Sequence, residues 1–231
     1  MTLQKNNQAT ATYLILATLF ITSLVVSNLI FQKFFYWNPF GWYRFEISVG
    51  ILPYPITFLI TDTISEIYGK KKANQVVIAG IFASVFSMLI ILIANVAPAL
   101  ENSPVSNSIF SQVFGLSPLG VLASMLAYLT AQFIDIRIYH FWKEYTQGKH
   151  LWLRNNFSTF TSQLVDTTLV VGLLCFFEVL SWNSFTSLVL SGFLFKAIIA
   201  VLDTPLLYGI VYFMKRKFNL NTNDEITKLS L

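Results

Sequence analysis

The sequence predicts an all-α polytopic membrane protein: a single-domain bundle (residues 1–231) of about six transmembrane helices with both termini cytoplasmic. Three observations carry that prediction. Of the 231 residues, 55% are hydrophobic and only 11% are charged, whereas a soluble domain carries about 25% charged residues. Mean hydropathy is +0.63, and the apolar residues gather into about six runs near the ~20 residues that a helix needs to cross the hydrocarbon. The basic residues, which give a formal net charge of +4, sit between those runs where the positive-inside rule places them. Membrane topology therefore explains the charge, and no direct nucleic-acid partner is expected.

The predicted spans are 13–35, 48–68, 74–97, 118–141, 157–180 and 185–214. The polar start with one Lys is followed by an apolar run too long for a signal-peptide core, so that run is expected to stay as the first span. Aromatic residues at Phe34 to Trp42 and His140 to Trp152 suit headgroup-level anchors. Pro53 and Pro55 are placed to break or kink the second span. Gly80, Ala83, Ser84 and Ser87 give the third a small-residue face for close helix packing, which also suits a homodimer contact. The last run is long enough to tilt. Lys5, Lys70 to Lys72, Lys143, Lys149, Arg154 and Lys215 to Lys217 fall on one side if the helices alternate, with Arg44 alone in a loop opposite. Three helices per half would make the halves antiparallel, as in inverted-repeat transporters. The echo of Gln132 and Asp135 in Gln163 and Asp166 lies in adjacent helices, however, and does not relate one half to the other.

Polar residues within these spans are the functional signal. Thr159, Ser162, Gln163 and Asp166 fall at i, i+3, i+4 and i+7, forming one stripe on the fifth span. An Asp in mid-helix costs roughly 2.5 to 3.5 kcal/mol on insertion scales, so protein must face it. Asp62 and Glu66 lie at i, i+4 on the second span, where an interfacial pairing with the Lys70 run is the ordinary reading. Tyr128, Gln132, Asp135 and Tyr139 follow helical spacing on the fourth, with Arg137 pointing elsewhere. Lys196 and Asp203 sit two turns apart on the sixth, and Asn28 and Gln32 one turn apart on the first. Five carboxylates, Asp62, Glu66, Asp135, Asp166 and Asp203, outnumber the intramembrane cations Lys33, Arg137 and Lys196. Surplus acceptors suit a ligand rich in N–H donors or positively charged, and aromatic faces suit a ring.

Enzyme chemistry is not expected, and neither catalytic residues, a cofactor nor a metal is assigned. There is no Gly-rich phosphate loop, H-E-x-x-H, G-x-S-x-G or cysteine–histidine set. The single Cys175 in an apolar run is a packing residue.

Three segments, YPITFLITDTISEIYGKK (54–71), AQFID (131–135) and LWLRNNFSTFTSQLVDT (151–167), resemble in order the YhhQ-type queuosine precursor transporters, earlier described as a vitamin-uptake family. The resemblance runs from about Val26 to Lys215. It implies import of a 7-deazaguanine, preQ0 or preQ1, across the bacterial inner membrane for queuosine synthesis or salvage in tRNA. It also implies a six-helix bundle whose substrate site includes Asp62, Glu66, Gln132, Asp135, Ser162, Gln163 and Asp166, with Asn28, Lys196 and Asp203 in addition. The partners expected are thus a small 7-deazapurine and membrane lipid. For roles, chemistry suggests Asp166 or Asp62 for the guanine-like N1–H and amine edge. Gln132 and Gln163 suit the carbonyl and ring N–H, and Asp135 or Glu66 the aminomethyl cation of preQ1. The alternative reading is a substrate-binding membrane subunit of an ATP-driven energy-coupling uptake system; a scaffold role is disfavoured by the clustered polar groups.

Overall fold

The computed structural model describes residues 3–31, 33–38, 41, 45–115, 118–178, 180–221 and 224–226. Gln32 and Arg44 lie outside them. In chain order the elements are α1 (Leu3–Ile30), β1 (Phe34–Trp37), β2 (Phe45–Ser48), α2 (Tyr54–Ile67), α3 (Gly69–Val96), α4 (Asn107–Phe114), α5 (Pro118–Tyr145), α6 (Leu151–Phe176) and α7 (Phe185–Phe218), with 3-10 turns at Val49–Ile51 and Trp182–Ser184. Among the described residues, four stretches are long and apolar enough to cross a membrane: Gln4–Ile30, Gly69–Val96, Leu151–Phe176 and Trp182–Phe218. The 28-residue α5 also has the length, about 42 Å at 1.5 Å per residue.

The second predicted span, 48–68, is not one helix. Its helical part, α2, has 14 residues, about 21 Å long, and begins at Tyr54 with Pro53 before it and Pro55 in its first turn. Proline lacks the N–H that a helix interior needs but fits the first turn. Ahead of it the chain forms an antiparallel hairpin, Phe34 opposite Ser48 and Trp37 opposite Phe45. Aromatic and β-branched residues favour that pleated pairing, so the expected aromatic belt is partly a strand. Strand pairing satisfies the backbone there, and side chains assist: Ser27 donates to the Gly50 carbonyl and Ser48 to that of Phe31. Gly50 is required because a Cβ would lie 2.7 Å from the Ser27 carbonyl. A side of the hairpin packs on α7, where Trp37 meets Phe195 edge-on at 5.1 Å.

At the other end of α2 the chain reverses through Gly69, with φ +80°, directly into α3. The sequence reading did not anticipate α4, which starts where Ser106 accepts from the Ile109 amide at 3.3 Å.

Gly80 of α3 lets α1 approach: a Cβ there would meet Phe20 at 2.7 Å and Leu24 at 3.0 Å. Gly80 thus serves packing against α1 of the same chain, while Ala83 and Ser87 on that face remain partly exposed. Large apolar side chains such as Phe82, Ile93, Leu202 and Phe213 point outward, whereas the buried polar residues concentrate on α2, α5 and α6. Apolar groups outside and polar groups inside is the arrangement that lipid demands.

Candidate functional site

A narrow, part-open cleft lies between α2, α6 and α7, with about 30 Å³ of cavity volume, room for about one or two water molecules in this conformation. Asp62 and Phe58 line it from α2, Asn155, Thr159 and Gln163 from α6, and Lys196, Phe195 and Asp203 from α7; Tyr54 and Ile51 stand at the broken start of α2. The helix break thus puts the first turn of α2 on the cleft, the discontinuous-helix geometry that brings backbone N–H groups to an intramembrane site.

The stripe on α6 is a single buried face, but its members divide their work. Thr159 and Gln163 face the cleft. Ser162 donates to Asp135 on α5 at 2.9 Å. One oxygen of Asp166 receives both the Tyr54 hydroxyl and the Lys196 ammonium, each at 2.6 Å. Lys196 also donates to Thr167 at 3.2 Å and lies 4.5 Å from the Tyr54 ring centre. Through that one oxygen Asp166 knits α2, α6 and α7 together.

Asp62 and Asp135 have a different environment. Asp62 is 2% exposed and Asp135 fully buried, the two carboxyls lie within hydrogen-bond reach of each other, and neither forms a direct ion pair among the described residues, although the Arg154 charge acts on Asp62. Asp62 Oδ1, Asp135 Oδ2, Gln132 Oε1 and Gln163 Oε1 are buried acceptors without a hydrogen-bond partner. A buried acceptor left unmatched costs about 1 to 3 kcal/mol, so four in one region mark a place built to receive donors. Gln132 uses its amide hydrogens on the Tyr128 hydroxyl at 2.7 Å, leaving its carbonyl as the free end.

Glu66 lies one turn below Asp62 and belongs to another cluster. Its carboxylate takes Arg154 at 2.7 Å, Lys215 at 2.5 Å and Lys143 at 3.6 Å, and the Tyr139 hydroxyl at 3.2 Å. These cations come from α6, α7 and α5 rather than from the Lys70 run. Arg154 also donates to the carbonyls of Gly148 and Lys149 at 2.9 and 3.2 Å, fixing the α5–α6 turn. Glu225, near the end of the chain, pairs with Lys143 at 2.8 Å, and the Ile226 amide donates to the Ile67 carbonyl at 2.8 Å. A wider cavity opens here between Glu66, His150, Arg154, Tyr208 and Lys215, but its charges already have partners.

The structure therefore brings together Asp62, Gln163, Lys196 and Asp203 on the cleft wall, with Gln132, Asp135, Ser162 and Asp166 directly behind. Glu66 stands apart in the basic cluster. Asn28 is also remote: it donates to Ser84 across α1 and α3 at 3.4 Å and lines a small separate cavity with Met125. Sequence reasoning passed over Asn155, although it lies one turn before Thr159 and extends the stripe. It also passed over Tyr54, Phe58 and Phe195, which carry no signal in an aromatic-rich chain.

A bundle that is apolar outside, polar inside, and creviced at a broken helix belongs to the class of multi-pass membrane transporters. The family described as "Putative vitamin uptake transporter" matches residues 48–210, and this chain belongs to that family. Among curated proteins, it is 26% identical over 163 residues, 70% of each chain, to the "Probable queuosine precursor transporter" of Bacillus subtilis (strain 168). No solved structure matched the chain.

Proposed function

We propose that this protein imports a queuosine precursor, a 7-deazaguanine, across the bacterial inner membrane. The observation that carries the reading is the set of unpartnered buried acceptors, Asp62 Oδ1 and Gln163 Oε1 on the cleft wall with Asp135 and Gln132 behind. The guanine-like edge presents an N1–H and an exocyclic amine side by side, a pair of donors that one carboxylate accepts well. With Asp166 already occupied by Tyr54 and Lys196, Asp62 takes that role. Gln163 bonds the remaining polar edge, and the rings of Phe58 and Phe195 flank the base. The resemblance of the three sequence segments and the name of the Bacillus relative support the same substrate class.

In this reading the chain crosses the bilayer six times, through α1, the hairpin with α2, α3, α5, α6 and α7. The lysine-rich ends and both termini are cytoplasmic, following the positive-inside rule. Thermal unfolding of the purified protein in detergent, with preQ0, preQ1, queuine and guanine, tests the site. A 7-deazaguanine raises the midpoint of the wild type, and Asp62→Asn, which leaves one acceptor oxygen, loses most of that rise. Failure of every 7-deazapurine to shift the wild type would overturn the substrate class. A full shift in Asp62→Asn would overturn the assigned residue.

A further inference from the structure

Two cavities follow one another along α2, α6 and α7, and different residues of each helix line them. Asp62, Asn155 and Asp203 face the cleft, whereas Glu66, Arg154 and Tyr208 face the wider cavity at the basic end. The Glu66–Arg154 pair, 2.7 Å apart and almost completely buried, stands at the boundary. A solute leaving the cleft toward the basic end meets this cluster.

Helix α7 carries the means to open that boundary. Pro205 lies inside the helix, after the cleft residue Asp203 and before Tyr208 of the wider cavity. Proline has no N–H to give the Val201 carbonyl, so one rung of the helix is missing and bending there is easy. Just before it, Thr204 is fastened to Asn156 of α6 at 2.8 Å, and earlier on the helix Phe195 packs on Trp37 of the hairpin. Beyond it, the half from Leu206 to Phe218 is held by contacts that a bend would release. Lys215 pairs with Glu66 at 2.5 Å, and the Tyr208 hydroxyl accepts from the Trp152 amide at 3.0 Å. Glu66 keeps Arg154 and Lys143 when Lys215 leaves, so the movement strands no buried carboxylate. Residues past α7 return over the same end. The Ile226 amide donates to the Ile67 carbonyl of α2 at 2.8 Å, with its side chain buried, and Glu225 reaches Lys143 of α5 at 2.8 Å. A Cβ on Gly69 would collide with the Glu225 carboxylate, so the α2–α3 turn leaves room to seat it.

Resting on the transport reading above, we infer that the basic-end half of α7 is a gate hinged at Pro205, with Glu225 and Ile226 as the latch that holds it shut. Its swing takes Lys215 off Glu66 and joins the cleft to the cavity at the basic end.

A cysteine at Thr159, on the cleft wall, reads the gate without any substrate, because the native Cys175 is buried. A membrane-impermeant maleimide is applied to either face of sealed vesicles, the basic face being the one from which a cysteine at Lys217 labels. Glu225→Gln raises the basic-face rate about fivefold, the population shift for losing one part-exposed ion pair, and Ile226→Ala raises it as well. Neither raises the rate from the opposite face. Pro205→Ala, at an exposed position, restores the missing rung and lowers the basic-face rate. A basic-face rate unchanged by Glu225→Gln and Ile226→Ala overturns the latch, and one unchanged by Pro205→Ala overturns the hinge. Faster labelling from both faces marks general loosening and overturns the gate. No ligand enters the measurement, so these outcomes leave the substrate class to the thermal shifts described above.

Discussion

Two donors converge on one oxygen of Asp166, the Tyr54 hydroxyl and the Lys196 ammonium, and this decides what that residue can do. It ties three helices together through that oxygen, whereas Asp62, four residues before Glu66, has an oxygen without a donor. Removing one partner of a buried ion pair strands the other charge and costs about 3 to 5 kcal/mol. Asp166→Asn therefore lowers the unfolding midpoint in detergent, and adding Lys196→Met, which removes the stranded charge, restores most of it. Equal stability of the single variant and the wild type would contradict the pairing. At this scale helical spacing disclosed the polar stripe and the Lys196–Asp203 face. Which carboxylate takes Lys196 was not legible, because periodicity orders residues along one helix and says nothing about which helix stands opposite. Glu66 illustrates the same limit: its acid-on-base character was readable, but its cations Lys143, Arg154 and Lys215 come from three helices far along the chain.

Among the elements, α2 matters most because it is short. Pro53 and Pro55 announced a break, and the break occurs there. The hairpin that replaces the outer part of this span was hidden, since Phe34 to Trp37 in a hydrophobic chain reads equally as an interfacial aromatic belt. Helix α3 gives a sharp packing test. A Cβ on Gly80 would come within 2.7 Å of the Phe20 ring, so Gly80→Val separates α1 from α3 and destabilises by about 1 to 3 kcal/mol. The drop appears as a lower unfolding midpoint. Gly209, which has nothing within 4 Å of the added atom, tolerates alanine and provides the control.

For the whole molecule, composition and hydropathy were enough to read a helical membrane bundle, and the lysine distribution enough to expect one basic end. Buried contacts agree in bringing that end together: Tyr68 on the α2–α3 turn donates to the Ala9 carbonyl at 2.9 Å, and Lys143 reaches Glu225 near the chain end. The native Cys175 is buried, which permits single-cysteine labelling elsewhere. In the proposed orientation, cysteines at Lys5 and Lys217 are expected to label only from the cytoplasmic side, and one at Ser103 only from outside. Labelling of Lys5 and Ser103 positions from the same side would contradict the crossing pattern.

The central claim, that the cleft carries a 7-deazaguanine across the membrane through Asp62, meets its most direct test in a precursor-auxotrophic bacterium that lacks any ATP-driven energy-coupling module. Uptake of labelled 7-aminomethyl-7-deazaguanine is measured with the wild type and with Asp62→Asn at matched membrane levels. Wild-type uptake with at least a tenfold loss in the variant, the effect of about 1.4 kcal/mol or more, is the expected result. Uptake undiminished in Asp62→Asn would contradict the site, and no uptake by the wild type would contradict a self-sufficient importer.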